Sequence, residues 1–139
     1  MRIAPYEPWH LLQIEVQPEQ RNDQTLRKAD SAQSLGEAGP VFTLLDGDIP
    51  LAIAGVANCE PGRGLAWAVL APSVDGYALA LHRGVTRFLA MQTYRRLEAV
   101  VDCEHTTAIR WIERLGFERE GRMRKYAPTG RDCYLYSRI

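Results

Sequence analysis

The spacing of apolar side chains changes period along the chain, and each change predicts an element. "MRIAPY" reads as a short strand. Pro8 can open a helix at its first turn, where no backbone N–H is needed. Trp9, Leu12 and Val16 would give that helix one apolar face. Residues 18–39 are polar and Ala-rich, and "NDQTLRKADSAQSL" predicts a second, exposed helix ended by Gly36 and Gly39. "VFTLL" and "IPLAIAGVA" are two strands joined at Asp46–Gly47, where Gly accepts the positive φ of a tight hairpin turn. Pro50 falls near the start of the return strand, where a missing donor is tolerated. "EPGRG" is a further turn. "LAWAVLA" is apolar on both faces, so it is expected in the middle of a sheet.

"PSVDG" breaks the chain, and Tyr77 to Tyr94 then predicts a long helix. Tyr77, Leu81, Val85 and Phe88, with Ala78 and Leu89, form its inward stripe, and Arg83 and Arg87 lie away from it. Gly84 inside this helix suggests a close approach of another backbone. "LEAVVD" is a fifth strand. Thr106 or Thr107 can cap the next helix. That helix is expected to bury Ala108, Ile109, Ile112 and Leu115 and to end with Gly116 at its C′ position. "FEREGRMRKY", the turn "APTGRD" and "CYLYSRI" finish the chain as two strands. The order β-α-α-β-β-β-α-β-α-β-β predicts a mixed α/β domain, residues 1–139, around one sheet.

Composition narrows the class. The chain has 139 residues, 46% hydrophobic and 24% charged, enough for one domain with a real core. No apolar run approaches the ~20 residues that span a bilayer. The N-terminus lacks the apolar segment of a signal peptide, so a cytoplasmic, non-membrane protein is expected. Cys59, Cys103 and Cys133 have no metal-ligand spacing and an odd count, which predicts reduced, mostly buried thiols and no metal site. Charge is uneven: residues 107–139 carry eight Lys/Arg against four Asp/Glu. This excess reads first as a solvated sheet face, and no nucleic-acid partner is expected.

The stretch "HTTAIRWIERLGFEREG" carries a likeness. Ala108, Ile109, Arg110, Leu115, Gly116, Phe117 and Gly121 match a pattern in which an Asn is followed by Ala, Ile, Arg, an apolar pair and "LGF" before a charged strand. The chain resembles the GCN5-related N-acetyltransferase superfamily, and the element order matches along nearly its whole length. The resemblance implies a twisted, mostly antiparallel sheet of about seven strands with about four helices. It implies a splay between the fourth and fifth strands, where the pantetheine arm of acetyl-CoA would pair with a strand edge. It also implies direct acetyl transfer to a small-molecule or protein amine. Cofactor contacts would fall on Val69, Leu70, Ala71, Val74, Asp75, Gly76, Tyr77 and His105. The diphosphate would sit on backbone N–H groups where the fourth strand turns into a helix.

The chain departs from the family's pattern at two places. The phosphate turn, ordinarily Gln/Arg-x-x-Gly-x-Gly/Ala, is "APSVDGYALALHRG" here, with Asp75 and no cation before Arg83. The Tyr that protonates the departing thiolate is Ile112, and the Asn that opens the helix is His105. Proton carriers are therefore sought in His105, His82 and Glu60, with Glu104 a further candidate; each also reads as an ordinary solvated side chain. Cys103 reads as structural, and Tyr126, Tyr134 and Tyr136 as pocket-lining or packing. The same departures, with "AIRWIERLGF", give a second resemblance, to acetyltransferase-like proteins of tailed phages and prophages. That likeness implies a catalytically silent, protein-binding module in a virion or infected cell. Either a monomer or a homodimer is compatible with these features.

Overall fold

The computed structural model describes residues 1–15 and 29–139. Val16 and the first part of the predicted second helix lie outside them. Seven strands form a sheet in the order β1-β2-β3-β4-β5-β7-β6. In chain order the elements are β1 (Arg2–Pro5), α1 (Pro8–Gln13), α2 (Ala29–Ala38), β2 (Val41–Asp46), β3 (Ile49–Glu60), β4 (Arg63–Leu70), a 3-10 helix (Pro72–Tyr77), α3 (Ala78–Ala90), β5 (Arg96–Asp102), α4 (Thr106–Arg114), β6 (Glu118–Met123) and β7 (Cys133–Arg138). The predicted order of elements holds throughout. The residues group into two units, Met1–Asn58 with Trp67–Gln92, and Cys59–Ala66 with Thr93–Ile139.

In the first unit β1 pairs antiparallel with β2, and β2 with β3. Gly47 makes the tight β2–β3 turn with φ +59°, the conformation expected from Asp46–Gly47. Leu51, Ala52, Ile53, Ala54 and Val56 of β3 are buried, because both faces of this strand are covered. One core cluster joins Leu11 and Ile14 to Ala32, Ile53, Val69 and Ala71. α1 therefore buries His10 and Leu11, while Leu12 of the expected apolar face is 52% exposed. A helix of six residues holds too few repeats for periodicity to set its phase. α2 runs through Gly36 and ends at Ala38, directly before Gly39; Gln33, Ser34 and Glu37 are exposed as expected, while Ala32 is buried.

α3 begins one residue later than expected and stops at Ala90. Leu81, Val85 and Leu89 are its buried stripe, and Ala78 is exposed. Gly84 admits a side chain rather than a backbone: a Cβ there would lie 3.0 Å from Ile3 Cδ1. β4 stands fourth of seven in the sheet, as expected, but most of its residues are only half-buried.

In the second unit β5 pairs antiparallel with β7, and β6 with β7. β4 and β5 run parallel, and their ladder covers only Arg63–Leu65 against Arg96–Glu98. The N-cap of α4 is His105, not Thr106 or Thr107, which are its first two residues. It is strongly amphipathic, yet none of its residues is fully buried; Ala108, Ile109, Ile112 and Leu115 are half-covered. Gly116 has φ +91°. Its N–H donates to Glu113 O at 3.1 Å, and the Phe117 N–H donates to Ile112 O at 3.2 Å, which closes a Schellman end. Phe117, the next residue, is buried and anchors the corner. "AIRWIERLGFEREG" is thus a helix stop and strand start held by a positive-φ glycine and an aromatic anchor.

β6 is exposed along most of its length and carries alternating charge, which protects the sheet edge from further pairing. Carboxylates and arginines pair in this unit: Arg96 of β5 with Glu120 of β6 at 2.6 Å, and Arg122 of the basic C-terminal third with Asp132 at 2.8 Å. Of the three thiols only Cys133 is buried; Cys59 is exposed and Cys103 half-buried, which corrects the expectation of mostly buried cysteines. Among the described residues no cluster of His, Cys, Asp and Glu could hold a metal ion, and no helix is long and apolar enough to cross a membrane.

Candidate active site

In the first unit the predicted cofactor residues form one continuous path. Val69 and Ala71 are buried in the core, so they offer backbone rather than side chain. The Ala71 N–H donates to Leu51 O at 2.8 Å, which ties the end of β4 to β3. The chain then winds into the 3-10 helix instead of an open loop. Val74 is buried, and its N–H donates to Ala71 O at 3.1 Å. Asp75 and Gly76 are exposed, and open space surrounds the position of a Cβ on Gly76. The Tyr77 hydroxyl donates to Asp46 Oδ2 at 2.9 Å, and that carboxylate raises the phenol's pKa. Within "APSVDGYALALHRG", where the phosphate turn is expected, Gly76 and Ala78 are both exposed. The backbone at Gly76 and Ala78 is therefore thinly covered, at the start of a 13-residue helix whose dipole favours anions. This turn presents exposed Asp75, Gly76 and Ala78 and holds no Lys or Arg before Arg83. Arg83 lies one turn further on and lines an open cavity of about 290 Å³ with Met1, Gly76, Tyr77, Leu79 and Ala80. His82 is half-buried on α3 in the same unit.

Glu60 and His105 belong to the second unit. Glu60 ends β3 and is held by Arg63 at 3.2 Å and Arg95 at 3.6 Å. Both guanidiniums contact the same carboxylate oxygen, Oε1. Glu104 is similarly engaged, by Arg131, which also contacts Asp102 at 3.0 Å. His105 differs from both. It is the N-cap of α4, half-buried, and its side chain makes no capping bond. Its backbone is fixed by His105 N–H to Asp102 O and Ile109 N–H to His105 O, both 3.0 Å. Beside it, Asp102, Cys103, Glu104, Arg122, Arg131 and Asp132 line a polar cleft of about 270 Å³.

Tyr134 and Tyr136 pack within the second unit. Tyr136 is fully buried; its hydroxyl donates to Glu113 Oε2 at 2.7 Å and accepts from Arg119 Nη2 at 3.1 Å. Tyr134 lies under the Arg119 guanidinium, 3.7 Å from its ring centre. Tyr126 is exposed.

Sequence reasoning missed His10. It is 1% exposed, and its Nδ1 lies 2.8 Å from Thr43 Oγ1 and 3.0 Å from the Glu7 N–H. No local signal marks it, since Thr43 is 33 residues away. It also missed Arg131, whose place in the turn "APTGRD" gives no hint of its carboxylate partners.

Comparison with solved structures decides the architecture. The chain superposes on Ard1 from Thermoplasma volcanium with a TM-score of 0.81 at 13% identity, covering 99% of this chain and 96% of that one. It also superposes on an N-acetyltransferase from Staphylococcus aureus Mu50 (TM-score 0.74, 17% identity, 99% and 96% covered). A ribosomal-protein-alanine N-acetyltransferase from Brucella melitensis gives a TM-score of 0.76 at 14% identity, with 100% and 99% covered. This chain has the GCN5-related N-acetyltransferase fold. The parallel β4–β5 ladder ends after three pairs, Arg63–Leu65 against Arg96–Glu98. No family model and no curated protein matches the sequence. The acetyltransferase fold is therefore carried by element order and turn geometry, with few shared side chains.

Proposed function

We propose that the chain is an N-acetyltransferase that moves an acetyl group from acetyl-CoA to an amine. The short β4–β5 ladder within this fold carries the reading, because it leaves most of β4 outside that pairing. Backbone of Val69 and Leu70 would hold the pantetheine arm, and backbone N–H groups of Gly76, Tyr77 and Ala78 the diphosphate. When bound, acetyl-CoA supplies the activated acetyl thioester. The amine must give up a proton and the thiolate must receive one. Ile112 has no proton to give. His105 is the carrier in this reading: an imidazole can both accept and donate a proton, and this side chain makes no capping bond at the start of α4.

Thermal unfolding with and without acetyl-CoA tests it. Cofactor at 100 times its Kd stabilises the fold by about 2.7 kcal/mol, roughly 8–10 °C for a chain of this size. Mass spectrometry of an amine panel then reads acetylation directly. A second reading, a silent protein-binding module, is favoured by exposed Asp75 in a turn wound into a 3-10 helix and by Ile112 in the acid's place. An unchanged Tm at millimolar acetyl-CoA selects it.

A further inference from the structure

We infer that His10 is an acid-sensitive latch that holds α1 against β2. The geometry sets its protonation state. A backbone N–H can only donate, so the Glu7 N–H, 3.0 Å from Nδ1, requires a lone pair on that nitrogen. The Thr43 hydroxyl, 2.8 Å away on β2, then donates to the same atom. The ring proton resides on Nε2, which faces Glu7 Oε2 at 3.9 Å. In the capping box of α1, His10 fills the position usually held by Glu or Gln, reaching back to the N-cap N–H. Here the capping group can titrate.

A solvent proton added to Nδ1 turns an acceptor into a donor that points at an N–H. The Glu7 bond is lost, and a cation is left at a site 1% exposed. The surroundings offer weak compensation. Glu7 is the nearest carboxylate, but its side chain is 64% exposed and already accepts from Trp9 Nε1 at 3.1 Å. Arg2 of β1 opposes the added charge. The rings of Trp9 and Tyr6 lie 4.2 and 6.0 Å from the imidazole, and the Tyr6 hydroxyl is committed to Ala32 O at 2.6 Å. Burial accordingly lowers the pKa of His10, with Glu7 acting against that shift and Arg2 adding to it.

The consequence follows from what α1 covers. Leu11 and Ile14 pack in one cluster with Val69 and Ala71. Release of α1 uncovers the strand end to which cofactor binding is assigned; that link rests on the function proposed above. With a free-imidazole pKa near 6.5 and no proton on the latched form, the open-to-closed ratio of α1 rises about tenfold between pH 7.5 and 5.5.

Hydrogen exchange of the α1 amides, including Ile14 N–H bonded to His10 O at 3.0 Å, measures this ratio once intrinsic exchange rates are divided out. The wild type is expected to lose about tenfold in protection over that range. In His10→Asn, an acceptor that does not titrate, protection is expected to be independent of pH. An equal loss in His10→Asn overturns the latch. NMR titration of the His10 ring in the wild type decides independently: a midpoint at or above ~6.5 with α1 still protected also overturns it. Acetyl-CoA affinity at the two pH values is read in parallel. If the cofactor binds at neither pH, the function proposed above fails, while exchange and NMR still decide the latch.

Discussion

Two helices of this protein begin around a histidine, and the two histidines differ in what they have left to offer. At α1, His10 is 1% exposed and its Nδ1 meets the Glu7 N–H and the Thr43 hydroxyl. At α4, His105 is the N-cap, half-buried, with no side-chain capping bond. A ring whose nitrogens satisfy buried donors is part of the fold, and changing its proton changes stability. A ring that makes no capping bond can move a proton while the helix start stays as it is. The pattern around "LGF" directs attention to the second histidine. Burial and hydrogen bonds show that the first carries more of the structure.

The sharpest way to break this contrast is truncation. His10→Ala leaves the buried Thr43 hydroxyl and the part-buried Glu7 N–H without this acceptor and opens a void, so it is expected to cost about 3 kcal/mol in urea unfolding. His105→Ala is expected to stay within about 0.5 kcal/mol of wild type, as for other sites free of buried bonds. Equal costs at the two positions would erase the distinction.

Activity is expected to reverse the ranking. His105→Ala should slow acetylation of a reactive amine on the order of 100-fold, with acetyl-CoA affinity unchanged. A rate within a factor of two of wild type would remove His105 from the mechanism.

A smaller effect is expected at the phosphate turn. Replacing Asp75 by Asn removes an exposed negative charge near the proposed diphosphate contacts. Calorimetry should show acetyl-CoA binding about fivefold tighter, near the ~1 kcal/mol of a like-charge contact in water. Weaker binding would mean that Asp75 assists the ligand.

The smallest expected change separates the acid responses of the two units. Glu120 is held at about 2 by hydrogen bonds from Arg96 and Ser137. Its folded pKa lies below its unfolded one, so its stabilisation is present above about pH 4.5 and is lost as pH falls toward about 2. His10, whose folded pKa is also depressed, acts in a higher window: stability begins to fall as pH drops below the free imidazole's value near 6.5. In a pH series of unfolding free energies, Glu120→Gln should flatten only the lower limb and His10→Asn only the upper one.

Local signals carried most of the architecture. Asp46–Gly47 predicted its hairpin because positive φ is a property of one residue. "ERLGF" predicted the end of α4 because the helix stop needs only Gly116 and the two residues around it. The candidate site was legible only in outline. The stretch Val69–Tyr77 was placed, but its winding into a 3-10 helix was not, because that depends on burying Val74 in the core.

The sequence by itself determined the order of elements, the turns and the family likeness, since periodicity, propensity and turn chemistry act over a few residues. Tertiary structure decided which face of α1 is buried, that Glu60 and Glu104 are held by arginines, and that His10 rather than Leu12 points inward. Each of these depends on a partner brought close by folding: Arg95 for Glu60, Arg131 for Glu104, Thr43 for His10. Spacing along the chain cannot tell which polar groups will meet, and a polar group's cost or value is set by whom it meets.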